Sequence, residues 1–212
     1  MYPMMVGAEH GALLYSLEHR YYGASQPFDD WSTPNLKYLT TRQALADIRA
    51  FIESQNTALG YNADWIVIGG SYPGALSAWF KSQYPEWAVG AWSSSGVIHA
   101  VKDFKSFDLD IFMRTDQSEP ACPSAIRLAT AIAEKELQTP EGTERIKQLF
   151  EIDIAINNAD FFFYYADIFT MGVQYGSRVS MCDTLVQALD QGEDALMAAV
   201  AEYAKSKGLS YS

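Results

Sequence analysis

Ser71 stands in the run Gly69-Gly70-Ser71-Tyr72-Pro73-Gly74, between an apolar stretch and a helix-forming one. Before it, Trp65-Ile66-Val67-Ile68 is apolar with three β-branched residues, which suits a strand buried on both faces of a parallel sheet. After it, Ala75, Leu76, Ala78, Trp79 and Phe80 recur at helical spacing. A serine on a sharp strand-to-helix turn presents its hydroxyl for attack. The N–H of the next residue, here Tyr72, is then available to a developing oxyanion. Ser71 is therefore the candidate nucleophile of a hydrolase.

The match to G-x-S-x-G is incomplete, because Pro73 takes the place of the last glycine and Gly74 follows one position later. Proline is acceptable in the first turn of a helix, where its absent N–H would have no partner. Gly69 and Gly70 tolerate a strained turn and leave room beside the serine. A plain βα unit with a glycine turn and an incidental serine would read the same way locally.

A second polar cluster is Glu18-His19-Arg20-Tyr21-Tyr22-Gly23, which ends the apolar run Ala12-Leu13-Leu14-Tyr15-Ser16-Leu17. Polar groups just beyond the carboxyl end of a strand lie where ligands bind in open α/β sheets. A structural ion pair between Glu18 and Arg20 or their neighbours is the competing reading. His19 is a weak candidate base; a lone histidine in such a cluster more often serves as a structural hydrogen-bonder.

The elements that must position these groups follow in order. Residues 1–11 read as the tail of a helix entering a turn, and 12–17 as a buried strand. Residues 24–38 read as a surface loop with Pro27, Asp29-Asp30 and Pro34. Thr40 and Gln43 form a capping box ahead of an amphipathic helix over 41–55, carried by Leu45, Ile48, Phe51 and Ile52. A strand at 65–69, a helix over 72–83 stopped by Tyr84-Pro85, and a strand from Val89 to Trp92 complete a parallel, right-handed α/β unit. After about residue 100 no strand is expected. Helices are predicted over 105–113, 123–137, 140–151, 158–171, 180–190 and 193–206. Phe161-Phe162-Phe163-Tyr164-Tyr165 is either packing for that helical layer or the lining of an apolar pocket.

Composition excludes several classes. Apolar residues make up 49% and charged ones 19%, enough for a core and unlike a disordered chain. A net charge of −11 argues against nucleic-acid binding, which needs a basic surface. No apolar run approaches the roughly 20 residues of a membrane span. No secretory signal is visible behind Met1. The two cysteines, Cys122 and Cys182, form no C-x-x-C, which leaves one disulfide or two free thiols.

With these residues in hand, the chain resembles the S28 family of serine peptidases. The resemblance rests on Glu18-His19-Arg20-Tyr21-Tyr22-Gly23, on Leu39-Thr40 with Gln43-Ala44-Leu45-Ala46-Asp47, and on Gly69-Gly70-Ser71-Tyr72-Pro73-Gly74. Val173-Gln174-Tyr175-Gly176 and Cys182-Asp183 extend it. It is close over residues 8–100 and looser beyond, and Gly74 is the family's own variant of the elbow glycine. The order of these stretches is more specific than any one of them.

The resemblance implies a partial α/β-hydrolase core over residues 1–100, followed by an incomplete all-helical cap (insertion) domain over 101–212. It implies cleavage of peptides next to proline, with exopeptidase action favoured over endopeptidase and both open, by a Ser-Asp-His triad. Ser71 would be the nucleophile and the Tyr72 N–H half of the oxyanion hole. A Cys122–Cys182 bridge is implied, and with it a lysosomal, vacuolar or secreted setting. No metal or cofactor is implied. The expected partner is a peptide with proline near the scissile bond, and a homodimer is compatible with the family.

The triad order in this fold is Ser, Asp, His, and no histidine follows His99. His10 and His19 precede Ser71, and none of the three matches a catalytic position of the family. The chain is therefore expected to be a piece of a longer protein and inactive alone. A non-catalytic binding or scaffold protein, and an esterase or lipase of the same fold, are the alternatives.

Overall fold

Residues 2–209 are described by a computed structural model, and the chain divides after Lys102 into two units. In the first, helix α1 (Tyr2–Glu9) ends in a turn at Gly11, whose φ of 62° falls in the left-handed region. Residues 12–17, expected as a buried strand, are not one. The sheet of the described residues holds two strands, and this segment belongs to neither. Its Leu13, Leu14, Tyr15 and Leu17 are exposed. An apolar run becomes a strand only where a neighbour supplies the ladder, and none of the described residues does so here. Tyr15 still packs edge-on against Phe51 and tilted against Trp65, with centroids 5.6 and 5.4 Å away.

After a 3₁₀ turn at Asn35–Tyr38 comes α2 (Thr41–Leu59). Thr40 caps it by accepting the Gln43 N–H at 3.3 Å. The helix runs past residue 55 because nothing breaks it before Gly60, which closes it at φ 78°. Strand β1 (Ile66–Gly70), helix α3 (Tyr72–Gln83) and strand β2 (Gly90–Ser94) follow. The strands pair in parallel, with Ile66 opposite Gly90 and Gly70 opposite Ser94. Ala44, Leu45 and Ile52 of α2, Leu76 and Phe80 of α3, and Ala88 form the core, with Trp65 and Val67 packed against it.

The expectation that β1 is buried on both faces is corrected. Val67 is half-buried against the helices, but Ile66 and Ile68 are 61% and 45% exposed. One face of the strand is covered within this unit. Among the described residues, the other is not.

The second unit is helical throughout its regular structure: α4 (Ser106–Ser118), α5 (Cys122–Glu136), α6 (Pro140–Leu149), α7 (Asn158–Gln174), α8 (Arg178–Leu189) and α9 (Glu193–Ser206). Prolines at the first or second positions of α5 and α6 preset their opening turns. Asn157 caps α7 by accepting the Asp160 N–H at 2.9 Å. Cys122 and Cys182 are disulfide-bonded and fully buried, tying α5 to α8 across 60 positions. The aromatic block resolves by position. Phe161 and Tyr165 lie in a core made of residues from this unit, whereas Phe163 is 79% exposed. Buried Lys147 donates to the carbonyls of Ile154 and Ile156, so its charge is met by backbone oxygens of the loop before α7.

Candidate active site

Ser71 sits between the last residue of β1 and the first of α3, with φ 59° and ψ −125°. That conformation is rarely adopted by a residue with a side chain, and holding it costs about 1–3 kcal/mol. The surroundings over-determine it. The Ser71 N–H donates to the Ser94 carbonyl at 2.9 Å, tying the turn to the end of β2, and the Ser71 carbonyl accepts the Ala75 N–H at 3.0 Å. The side chain is left exposed.

The glycines divide the work differently from the sequence reading. The left-handed backbone falls on Ser71 itself. Gly69 is needed for space, since a Cβ there would overlap the Pro73 carbonyl in the first turn of α3. Gly74 is needed for the same reason: its Cβ would lie 2.8 Å from the Ser94 carbonyl. Gly70 is unconstrained, with only the Ser94 carbonyl near its Cβ position at 3.8 Å. The shift of the second glycine from the G-x-S-x-G position to residue 74 thus has a steric reason: there the Ser94 carbonyl at the end of β2 leaves no room for a Cβ. Buried Ser77, one turn further on, donates to the Gly74 carbonyl at 2.8 Å and shares that proton with the Trp92 carbonyl at 3.1 Å.

The second cluster meets the first. His19 Nδ1 lies 2.7 Å from the Arg20 carbonyl oxygen, and His19 Nε2 lies 3.1 Å from the Tyr72 hydroxyl. The His19 ring also packs against Tyr72 and, edge-on, against Tyr22, at 5.6 and 5.3 Å. Both imidazole nitrogens are thereby committed to groups other than Ser71, which fits the hydrogen-bonder reading of His19 and not the base. His10 and His99 are exposed.

The Glu18–Arg20 ion pair is corrected. Arg20 makes a bidentate pair with Asp47 of α2, both bonds 2.6 Å, and also donates to the Tyr38 carbonyl. Donating to the Asp47 carboxylate, with its charge reinforcing the bond, holds the Arg20 guanidinium above its ordinary pKa. Glu18 instead accepts the Ser25 N–H at 2.9 Å, and Gly23 has no room for a Cβ beside that carboxylate. Asp47 entered the sequence reading only as the end of the Gln43–Asp47 stretch, with no partner assigned to it. It follows buried Ala44 by three positions, on the same side of α2, and that spacing was the available signal.

Among the described residues no group of three or more His, Cys, Asp or Glu is arranged to hold a metal ion. No helix there is long and apolar enough to cross a membrane.

A parallel β-α-β unit with a strained, exposed serine at its strand-to-helix turn is compatible with a partial α/β fold. Comparison with known proteins narrows this further. Residues 2–202 match the family model described as serine carboxypeptidase S28, and the chain belongs to that family. It is 38% identical over 191 residues to a probable serine protease, EDA2, of Arabidopsis thaliana, covering 84% of this chain and 37% of that protein. It is 42% identical over 132 residues to the lysosomal Pro-X carboxypeptidase of Bos taurus, covering 58% and 26%. It is 36% identical over 109 residues to the thymus-specific serine protease of Mus musculus, covering 50% and 21%. The matched region thus spans little more than a third of these relatives at most.

Proposed function

We propose that this chain supplies the nucleophile of a serine-type peptidase that cleaves peptides next to proline through an acyl-enzyme. Ser71 is the attacking group and the Tyr72 N–H one of the oxyanion donors. The observation that carries this reading is the backbone of Ser71, at φ 59° and ψ −125°, held against its own preference in an exposed residue. Kinship to proteins named serine proteases and Pro-X carboxypeptidases supports the reaction class, the proline preference, exopeptidase action and a lysosomal or secreted setting. Residues 1–100 then form part of an α/β-hydrolase core and 101–212 part of a helical cap.

The triad Asp and His come from residues outside these 212. The fold orders its triad Ser, Asp, His, and His99 alone follows Ser71, at a position that matches none of the family's catalytic residues. A serine without its histidine keeps only the small part of catalysis that binding and oxyanion contacts supply.

The test is turnover of a chromogenic prolyl peptide by the full-length protein, by its Ser71→Ala variant and by residues 1–212. Turnover by the first alone is expected. Undiminished turnover in Ser71→Ala removes the nucleophile assignment. Turnover by residues 1–212 that Ser71→Ala abolishes removes the assignment of the base to outside residues.

A further inference from the structure

A carbonyl oxygen only accepts, so the 2.7 Å contact between His19 Nδ1 and the Arg20 carbonyl places the ring proton on Nδ1. In the neutral ring Nε2 is then an acceptor. The group it faces at 3.1 Å, the Tyr72 hydroxyl, must donate to it. The direction of this bond follows from its neighbours.

We infer that His19 is a positioning residue for the elbow. By accepting the Tyr72 hydroxyl proton it fixes the residue whose backbone N–H serves the oxyanion, an inference that rests on the reading of Ser71 and Tyr72 above. Tyr72 needs such a hold. It opens α3, is 37% exposed, and sits between a strained serine and a proline that has no N–H. An oxyanion donor acts through its aim, and small displacements of a catalytic group are costly.

His19 is itself held from two sides. The Tyr22 N–H donates to its carbonyl at 3.1 Å, and the next residue, Arg20, is clamped by both oxygens of Asp47. A line of directed contacts therefore runs from α2 through Asp47, Arg20 and His19 to the residue beside Ser71. None of these contacts passes through the sheet.

The experiment compares Tyr72→Phe, His19→Leu, His19→Gln and the double variant His19→Leu/Tyr72→Phe in the full-length protein. Tyr72→Phe and His19→Leu are each expected to lower kcat about tenfold with KM within about twofold. The double variant falls no further, because both remove one bond. His19→Gln, whose amide oxygen can accept the same proton, recovers most of kcat. Additive losses, or an unchanged kcat in Tyr72→Phe, overturn the inference.

A second readout needs no turnover. Imidazole ¹⁵N shifts of the wild type should report a protonated Nδ1 and a bare Nε2, with the Nε2 signal moving in Tyr72→Phe. An Nε2-protonated ring, or a signal unmoved by Tyr72→Phe, also overturns it. Turnover that survives Ser71→Ala would remove the nucleophile assignment while leaving this signature to be judged separately.

Discussion

The Ser71 N–H and the Ser94 carbonyl are joined by a 2.9 Å hydrogen bond that links the strained turn after β1 to the last residue of β2. The bond continues the parallel ladder one step beyond the Gly70–Ser94 pair. The conformation of the candidate nucleophile is thus imposed by the sheet, and its energy is recoverable by substitution.

Ser71→Gly should stabilise the protein by about 1 kcal/mol, since glycine adopts a positive φ without the side-chain penalty. Ser71→Ala, which keeps the Cβ, should not. Denaturant midpoints of the two variants check this. Equal midpoints would mean that the turn carries no strain.

Gly69→Ala and Gly70→Ala differ by one position and should differ sharply in outcome. Alanine at 69 overlaps the Pro73 carbonyl and should cost about 2–3 kcal/mol, by pushing α3 away from β1. Alanine at 70 meets nothing closer than 3.8 Å and should stay within about 1 kcal/mol. Thermal unfolding of both variants decides it.

Asp47→Ala leaves the Arg20 guanidinium, whose side chain is 17% exposed, without its bidentate partner. The pair is partly solvated, with Asp47 at 40%, so the expected cost is about 1–2 kcal/mol and not the larger figure for a fully buried pair. With Asp47 intact, Arg20→Lys should also lose stability, because a lysine ammonium lacks the planar fork that meets both carboxylate oxygens. A double-mutant cycle on Arg20 and Asp47 measures the coupling.

Reducing the Cys122–Cys182 bond releases a loop of 60 positions between two fully buried residues. The expected loss is about 2–4 kcal/mol. It would appear as a lowered melting temperature in reductant, matched by a Cys122→Ala/Cys182→Ala variant. An unchanged melting temperature would show that helix packing alone holds α5 against α8.

The Asp30 carboxylate is held below the ordinary range, first by the Ser32 hydroxyl, then by the Ser32 N–H at 2.8 Å and the Asn35 side chain at 3.1 Å. A lowered folded-state pKa contributes stability above the unfolded-state value and loses it as pH falls through the folded one. The 30–35 turn should therefore stay protected from amide exchange at mildly acidic pH and open below the usual carboxylate range. Asp30→Asn should remove that pH dependence.

Local signals carried much of this architecture. The helices after residue 100 were legible because Pro120, Pro123, Pro140 and Gly192 fall near their ends. The strand-turn-helix around Ser71 was legible because an apolar run, a small turn and a helix pattern adjoin in one stretch. The segment 12–17 was misread because its composition reports a capacity for pairing, whereas a strand exists only where a neighbour supplies the ladder. Ile66 and Ile68 mislead in the same way: apolarity says that a side chain can be covered, not that it is. The bonds from His19 to Tyr72 and from Arg20 to Asp47 span 53 and 27 positions and leave no periodic trace.

Ser77 has a consequence for how far the serine projects. Its single proton is divided between a carbonyl of its own helix, Gly74, and a carbonyl of the neighbouring strand, Trp92. Sliding α3 along β2 by one residue would break that shared bond and bring a residue with a Cβ to the place where Gly74 leaves only 2.8 Å to the Ser94 carbonyl. The helix is therefore indexed against the strand like a key against its wards. The height at which Ser71 stands above the sheet is gauged by a hydroxyl six positions downstream of it.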